Sequence, residues 1–480
     1  MQMAEYLTAI GLETHAELST DTKIFCNCKN RFGAPLNTNV CPVCMGLPGA
    51  LPTVNSTAVE YAVRMGHALN CKINLVSRFD RKNYLYPDLP KAYQISQSNV
   101  PICVDGWVDF WYNDQVRRVR IERIHMEEDA GKLIHSQSSD IITYVDLNRC
   151  GVPLIEIVTK PDIRSPGEAA AYLKTIRSIL TYLDICDCRM QEGSIRSDVN
   201  VSLNRPGEPL GVRCEMKNIN SFSAVTRAAE YEIKRQQEIL DAGGIIQQQT
   251  RRWDDVKGIS SVMRTKENAD DYRYFPEPDI PPVEISQRRC DELKKSVPEL
   301  GNIKLIRYIS EYCLNEKDAH YICDDPKLAA FFDECVQSGR YSPQVYSRRI
   351  MSELAKYLNA NEKSFEDIRL DVKRFNELLG EVEKGNISNS AFKKAFEFMI
   401  ENDDNVKTII NDLGLLQLTD ESELERIAEL VIKQNPKSVD DYKRGKTNAL
   451  GYIMGQCMKC SKGKADPVRM KEIVLSHLAK

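Results

Sequence analysis

Ser194-Ile195-Arg196-Ser197-Asp198-Val199-Asn200-Val201-Ser202-Leu203 sets polar residues at its even positions and mostly apolar ones at its odd positions. Side chains of an extended chain point alternately to opposite faces, so this stretch reads as a strand with one buried and one polar face. Val212-Arg213-Cys214-Glu215-Met216-Lys217-Asn218 repeats the alternation after a loop containing Pro206-Gly207. The two stretches predict a hairpin that presents Arg196, Asp198, Arg213, Glu215 and Lys217 across one face. Such a mixed-charge face is either plain solvent surface or the floor of a nucleotide pocket. The pocket is the reading adopted, because phosphoryl transfer needs acids that hold a metal and cations aimed at phosphates, and Glu192 adds a further acid nearby.

Other stretches supply companions to that face. From Leu12 to Leu18 the residues alternate again and place Glu13, His15 and Glu17 on one side, a set able to hold a metal ion. His125-Met-Glu127-Glu128-Asp129-Ala-Gly131-Lys132 bunches three carboxylates between a histidine and a Gly-Lys step, which reads as a divalent-metal or phosphate station or else a charged surface turn. Glu127 and Glu128, as neighbours on an extended segment, are expected to point to opposite faces, so that one of them contacts the ion. Glu156 interrupts the apolar run Val152 to Thr159, and a carboxylate there is costly unless it faces a polar cavity.

Between Arg78 and Gln97, cations alternate with tyrosines and amides, including Arg81, Lys82, Tyr84, Lys91 and Tyr93. Cations bind phosphate and rings offer stacking surfaces, so the segment suits a groove for phosphates and a nucleotide end; an ordered loop with satisfied tyrosine hydroxyls is the alternative. Cys26-Asn-Cys28 and Cys41-Pro-Val-Cys44 form two close thiol pairs a dozen residues apart. That spacing predicts a closed structural zinc site that braces a loop.

Around these lie expected helices over 55–69, 165–183 and 221–242, the second opening on Ser165-Pro-Gly-Glu168 and the third stopped by Gly243-Gly244. Val104 to Arg123 reads as a strand meander turning at Asp105-Gly106 and Asn113-Asp114. Past residue 295 the alternation yields to helical periodicity, over 302–314, 326–337, 346–358, 371–383, 388–399 and 421–434. The result is an α+β chain with an antiparallel-sheet domain over 1–294, a helical domain over 295–404 and a small helical tail domain over 405–480. At 480 residues three domains are expected.

The formal net charge of −4 argues against a generally basic nucleic-acid binder, but from Lys437 onward ten lysines and arginines face four acids, a local basic surface suited to RNA. Met1-Gln-Met-Ala-Glu-Tyr6 opens no signal peptide and no apolar run spans a bilayer, so a cytoplasmic protein is expected, its sixteen cysteines reduced or metal-bound.

Ile10-Gly-Leu-Glu-Thr-His-Ala-Glu-Leu18, the Phe79 to Gln97 segment, His125 to Lys132, Asp271-Tyr-Arg-Tyr-Phe-Pro-Glu-Pro-Asp279 and the tail's Ser461-Lys-Gly-Lys-Ala-Asp-Pro467 resemble the B subunits of bacterial aspartyl/glutamyl-tRNA(Asn/Gln) amidotransferases. The likeness spans nearly the whole chain. It implies a cradle-shaped, kinase-like domain without a P-loop, a helical domain and a tail that grips tRNA. It also implies a heterotrimer with an amidase (glutaminase) protein and a small third protein, acting on tRNA(Gln) or tRNA(Asn) charged with Glu or Asp. The activity implied is ATP-dependent activation of the aminoacyl carboxylate, followed by amidation with ammonia. The family's Mg²⁺ ligands map onto Glu13, His15, Glu127 or Glu128, Glu156, Glu192 and Asp198. Glu128, Lys82, Arg196 and Lys217 are assigned to catalysis, and Arg81, Tyr84, Lys91, Tyr93, Arg213 and Glu215 to binding of ATP. Only part of the family carries Cys26, Cys28, Cys41 and Cys44, so zinc rests on spacing. The alternatives are a noncatalytic zinc-containing tRNA-binding scaffold and an aminoacyl-tRNA synthetase-like enzyme, the latter suggested by Met458-Lys-Cys-Ser-Lys462 but lacking a His-x-Gly-His motif.

Overall fold

The computed structural model describes residues 5–135, 142–190, 192–265, 269–418, 420–461 and 463–479. Met1 to Ala4 and the tail lysines Lys462 and Lys480 lie outside them. The chain forms two compact units, Met1–Arg307 and Tyr308–Lys480, and its fold is α+β, with a large sheet and a helical C-terminal region.

The first unit is built on a nine-stranded sheet. Its spatial order is Ile259–Thr265, Gln249–Asp254, Cys214–Lys217, Ile195–Asn204, Leu7–Glu17, Pro153–Thr159, Gln115–Glu128, Cys103–Tyr112 and Lys72–Ile73. Neighbours run antiparallel except Cys214–Lys217 beside Gln249–Asp254, which are parallel. The expected hairpin forms, with Asn200 opposite Glu215.

One face of the sheet is apolar. Ile10, Leu12, Ala16, Ile155, Ile157, Val199 and Val201 are buried against Ala58, Ala62, Tyr172, Ile176, Ala224 and Ala228. Those partners come from the helices Ser56–Ala68, Pro166–Leu183 and Phe222–Asp241, which match the expected positions. Their starts are fixed by side-chain caps that satisfy free helical N–H groups: Ser165 accepts from Glu168 N at 3.1 Å and Ser221 from Ala224 N at 3.0 Å.

Asn113 and Asp114 both have positive φ, 50° and 58°, and make the expected tight turn. Asp105-Gly106 does not turn: the strand runs through it from Cys103 to Tyr112. Gly106 instead permits a close approach, since a Cβ there would lie 2.4 Å from both Cys71 Sγ and Leu69 O.

The second unit is helical. Leu424, Ile427, Val431, Ile453, Cys457, Met470 and Val474 form one of its cores, from helices Glu421–Gln434, Asn448–Cys460 and Pro467–Leu478. Cys457 and Cys460, which lack a second close thiol pair, read from the sequence as helix-packing thiols; Cys457 is buried in this core, but Cys460 is exposed and does not pack there. The stretch expected as one helix over 346–358 contains a π-helical segment, Ile350–Leu354, between Pro343–Arg349 and Ala355–Ala360. Among the described residues no helix is long and apolar enough to cross a membrane.

Candidate functional site

Register across the sheet, not proximity in sequence, assembles the polar face. His125 lies opposite Glu156, Glu156 opposite His15, and His15 opposite Arg196, so one row crosses four strands. A second row runs from Val158 through Glu13 to Asp198, and a third from Gly11 through Asn200 and Glu215 to Thr250. Directly opposed residues of neighbouring strands share a face, so the alternation of each strand multiplies into a patch of acids and imidazoles.

The rows line a cavity of about 360 Å³. Glu13, His15, Glu127, Glu156, Asp198, Glu215 and Lys217 form its floor, with Lys82, Arg123, Arg213 and Arg264 as cations and Tyr272 and Tyr274 as rings. Lys82 Nζ sits 4.7 Å from the centre of the Tyr272 ring and 5.7 Å from that of Tyr84.

Two clusters within the floor have the geometry of cation sites. In each of His15–Glu127–Glu156 and Glu13–Asp198–Glu215, one ligand atom per residue lies within 4.8 Å of the others. His15 Nε2 is 3.4 Å from Glu156 and 3.6 Å from Glu127; His125 Nε2 is 3.1 Å from Glu156. Although burial works against it, Glu156 and then Glu127 raise His15 to about 9. Burial also opposes ionisation of Glu156, yet His15 and His125 hold its carboxyl well below the usual range. In the second cluster Lys217 Nζ bridges Asp198 at 2.5 Å and Glu215 at 2.7 Å, while Asn200 donates to Glu13 at 2.9 Å. Burial, then Glu156, Glu215 and Asp198, push the Glu13 carboxyl up. Imidazolium and ammonium therefore balance a concentration of negative charge that a divalent cation would otherwise balance. Oxygen-rich donor sets with one imidazole fit a hard cation such as Mg²⁺.

Several residues singled out by pattern lie elsewhere. Glu128 points away from Glu127 and receives Lys91, with Ile95 N donating to it at 2.9 Å. Both Lys91 and Glu128 line a separate cavity of about 230 Å³ with Cys26, Cys44 and Tyr93. Arg81 donates to Glu277 at 2.7 and 2.8 Å and lies over the Tyr93 ring. Arg196, at the end of the His125 row, donates to Asp129 at 2.9 Å. Glu192 lies beyond the strand and accepts from Arg189 at 3.1 Å. Tyr84 is half-buried, and burial raises its hydroxyl.

The cavity also contains residues that pattern reading did not single out as site residues: His125, Arg123, Asn200, Thr250, Arg264, Tyr272 and Tyr274. His125 was within reach of that reading, since it precedes Glu127 by two and must share its face. Thr250 enters through the parallel pairing with Glu215, which no local pattern announces.

The four cysteines meet as spacing predicts. Their Sγ atoms lie within 4.8 Å of one another, and Cys41 N donates to Cys44 Sγ at 3.0 Å. A hydrogen bond from Cys26, acting against burial, holds Cys44 down at about 4, and Cys26 is correspondingly raised. Four thiol sulfurs this close to one another fit a soft, tetrahedral cation such as Zn²⁺.

Residues 8–291 match the family described as GatB/GatE catalytic domain, and residues 330–478 match that described as GatB domain. The chain is similar to the B subunit of the aspartyl/glutamyl-tRNA(Asn/Gln) amidotransferase of Caldanaerobacter subterraneus subsp. tengcongensis, at 50% identity over 477 residues, covering 99% of this chain and 100% of that one. It is 46% identical over 481 residues to the protein of the same description from Carboxydothermus hydrogenoformans, covering 100% of both chains. A third, from Thermodesulfovibrio yellowstonii, is 46% identical over 475 residues, covering 99% of each.

Proposed function

Since the chain belongs to the family of aspartyl/glutamyl-tRNA(Asn/Gln) amidotransferase B subunits, we propose that its polar sheet face activates the side-chain carboxylate of Glu or Asp carried on tRNA. The observation that carries this reading is the pairing of two three-ligand clusters with Lys82, Arg123, Arg213 and Lys217 around one cavity. The enzyme is a carbon–nitrogen ligase, a tRNA-dependent amidotransferase. Its domains are a cradle-shaped, kinase-like sheet domain over 1–294, a helical domain over 295–404 and a tRNA-binding tail over 405–480.

Mg²⁺ held by His15, Glu127 and Glu156 and by Glu13, Asp198 and Glu215 would neutralise phosphoryl charge. The chain's own residues do the rest. Lys82, Arg123 and Arg213 draw the phosphates of ATP to the floor, and Lys217 supplies a charge-assisted donor to the transferring group. Tyr272 and Tyr274 offer faces for a nucleotide base. The aminoacyl carboxylate attacks the γ-phosphorus and ADP leaves. Ammonia released by the amidase partner then attacks the acyl carbon, phosphate departs and the amide forms. Because the substrate carboxylate is the nucleophile, no enzyme nucleophile is required. Lys91, Tyr93 and Glu128 line the separate cavity beside Cys26 and Cys44, and Arg196, Arg81, Tyr84 and Glu192 lie outside the lining of the catalytic one. Cys26, Cys28, Cys41 and Cys44 brace a loop through structural Zn²⁺, and a small third protein completes a cytoplasmic heterotrimer.

The test is co-purification with the amidase partner, followed by assay of Glu-tRNA and Asp-tRNA with ATP and ammonia, and metal analysis of the same sample. ADP formation dependent on misacylated tRNA supports the reading. Amidation that survives Glu127→Gln and Glu156→Gln together would leave the scaffold reading standing instead.

A further inference from the structure

Lys23 is fully buried, at 0% exposure. Burying an ammonium is costly unless an anion or several good acceptors compensate it. Among the described residues its Nζ has one hydrogen-bond partner, the neutral Asn39 carbonyl oxygen at 2.9 Å, and no carboxylate pairs with it. The three acids of the His125–Lys132 stretch are already taken: Glu127 by His15 and His125, Glu128 by Lys91, and Asp129 by Arg149 and Arg196. The charge of Lys23 is therefore unexplained by its carboxylate surroundings.

Its position explains it. The Lys23 backbone N–H donates to the Cys28 carbonyl at 2.9 Å, and its side chain reaches Asn39, two residues before Cys41. The lysine thus ties together the segments that carry the two cysteine pairs. Lys23 and Cys44 also meet over one backbone position: a Cβ on Gly151 would lie 3.7 Å from Lys23 Cδ and 3.8 Å from Cys44 Cβ. Four thiolates around a divalent cation carry a net charge of about −2, and a buried centre of that charge needs a counter-cation.

We propose that Lys23 is the built-in counter-charge of the four-cysteine centre, a positioning residue whose ammonium favours four thiolates around Zn²⁺. This rests on the zinc reading given under Proposed function. It makes the lysine's effect depend on the metal. With the centre loaded, the ammonium lies beside two compensating charges. With the metal gone and the thiols protonated, the same ammonium is an uncompensated buried charge.

The test uses the full-length protein in complex with its amidase partner, with Lys23→Met, which removes charge and donor, and Lys23→Gln, which keeps an N–H for Asn39 but no charge. Transfer of zinc to a chromogenic chelator should be faster in both variants by about 10- to 100-fold, the range for groups that support metal ligands. After zinc removal under reducing conditions, both variants should melt at or above the temperature of zinc-free wild type. A side chain with only a packing role would lower the melting temperature in both states. Wild-type transfer rates in Lys23→Gln alone would assign the effect to the hydrogen bond and overturn the proposal, as would wild-type rates in both. Wild-type protein with no zinc in metal analysis would sink the zinc reading first, and this proposal with it. If Lys23→Met does not fold, Lys23→Gln decides alone.

Discussion

Glu127 and Glu128 are consecutive, yet their carboxylates serve opposite faces of one strand: Glu127 Oε1 lies 3.6 Å from His15 Nε2, while Glu128 binds Lys91 and accepts from Ile95 N at 2.9 Å. Alternation of an extended chain requires this separation. Glu127→Gln should weaken Mn²⁺ or Mg²⁺ binding by about tenfold or more, because ligand charge sets affinity for hard cations. Glu128→Gln should leave cation affinity near wild type but strand the Lys91 ammonium in a buried setting, at a cost of about 3 to 5 kcal/mol in stability. Calorimetric titration with Mn²⁺ and denaturant melts separate the two; equal loss of cation affinity in both variants would refute the division of labour.

Lys217 bridges Asp198 and Glu215 at 2.5 and 2.7 Å. Burial opposes its charge, but the two carboxylates keep the ammonium ionised well above the ordinary lysine range. Lys217→Met should lower kcat by about a hundredfold, as loss of a preorganised donor to developing charge does. Divalent-cation affinity should not fall, because the variant removes a competitor from between two ligands. A loss confined to KM for ATP would instead assign Lys217 to ground-state binding.

The sheet face was legible wherever a strand alternates cleanly. Glu13, His15, Asp198, Glu215 and Lys217 could be placed on one side of their strands, and Glu156 could be sent to a polar cavity because an apolar run cannot otherwise hold a carboxylate. Partners were not legible. Arg196 shares the face with His15, but its guanidinium is held by Asp129, and nothing in a single-strand pattern reports which acid a long side chain will reach. Glu192 shows the same limit from the other side, because it precedes the strand and its direction follows the loop. Asp105-Gly106 resembled a turn by composition, whereas the glycine is there for the close packing of Cys71 and Leu69. The cysteine shell was legible in full, since thiol spacing and tetrahedral geometry constrain each other.

In the tail, Lys443 and Arg444 are exposed beside Gly445 and Lys446, the last paired with Asp441 at 3.0 Å. If this surface holds tRNA backbone, replacing Lys443 and Arg444 with alanine should weaken tRNA binding and reduce the slope of log affinity against log salt by about two, one for each phosphate no longer neutralised. ADP formation at saturating tRNA should be unchanged, because neither residue belongs to the cavity. Filter binding across a salt series gives the slope; an unchanged slope would move the tRNA-binding surface away from these two residues.

Glu17 carries a pH dependence that Gln should remove. Burial and then the neighbouring Asp129 raise its carboxyl to about 8 from the ordinary 4.5. The folded chain therefore keeps a proton that the unfolded chain has already released over this interval, so stability is fullest below about 4.5 and declines as pH rises toward about 8. Asp129 shifts the other way: although burial opposes it, Arg196 and Arg149 hold its carboxyl below 3.8, so its contribution fails only in acid, outside this window. Glu17→Gln presents an amide where wild type presents a protonated carboxyl and can still donate to Asp129. Its stability should match wild type near pH 5 and exceed it near pH 8, and denaturant unfolding across that range measures the difference. A constant offset at every pH would mean that Glu17 is ionised in the fold, with Arg196 and Arg149 holding both carboxylates.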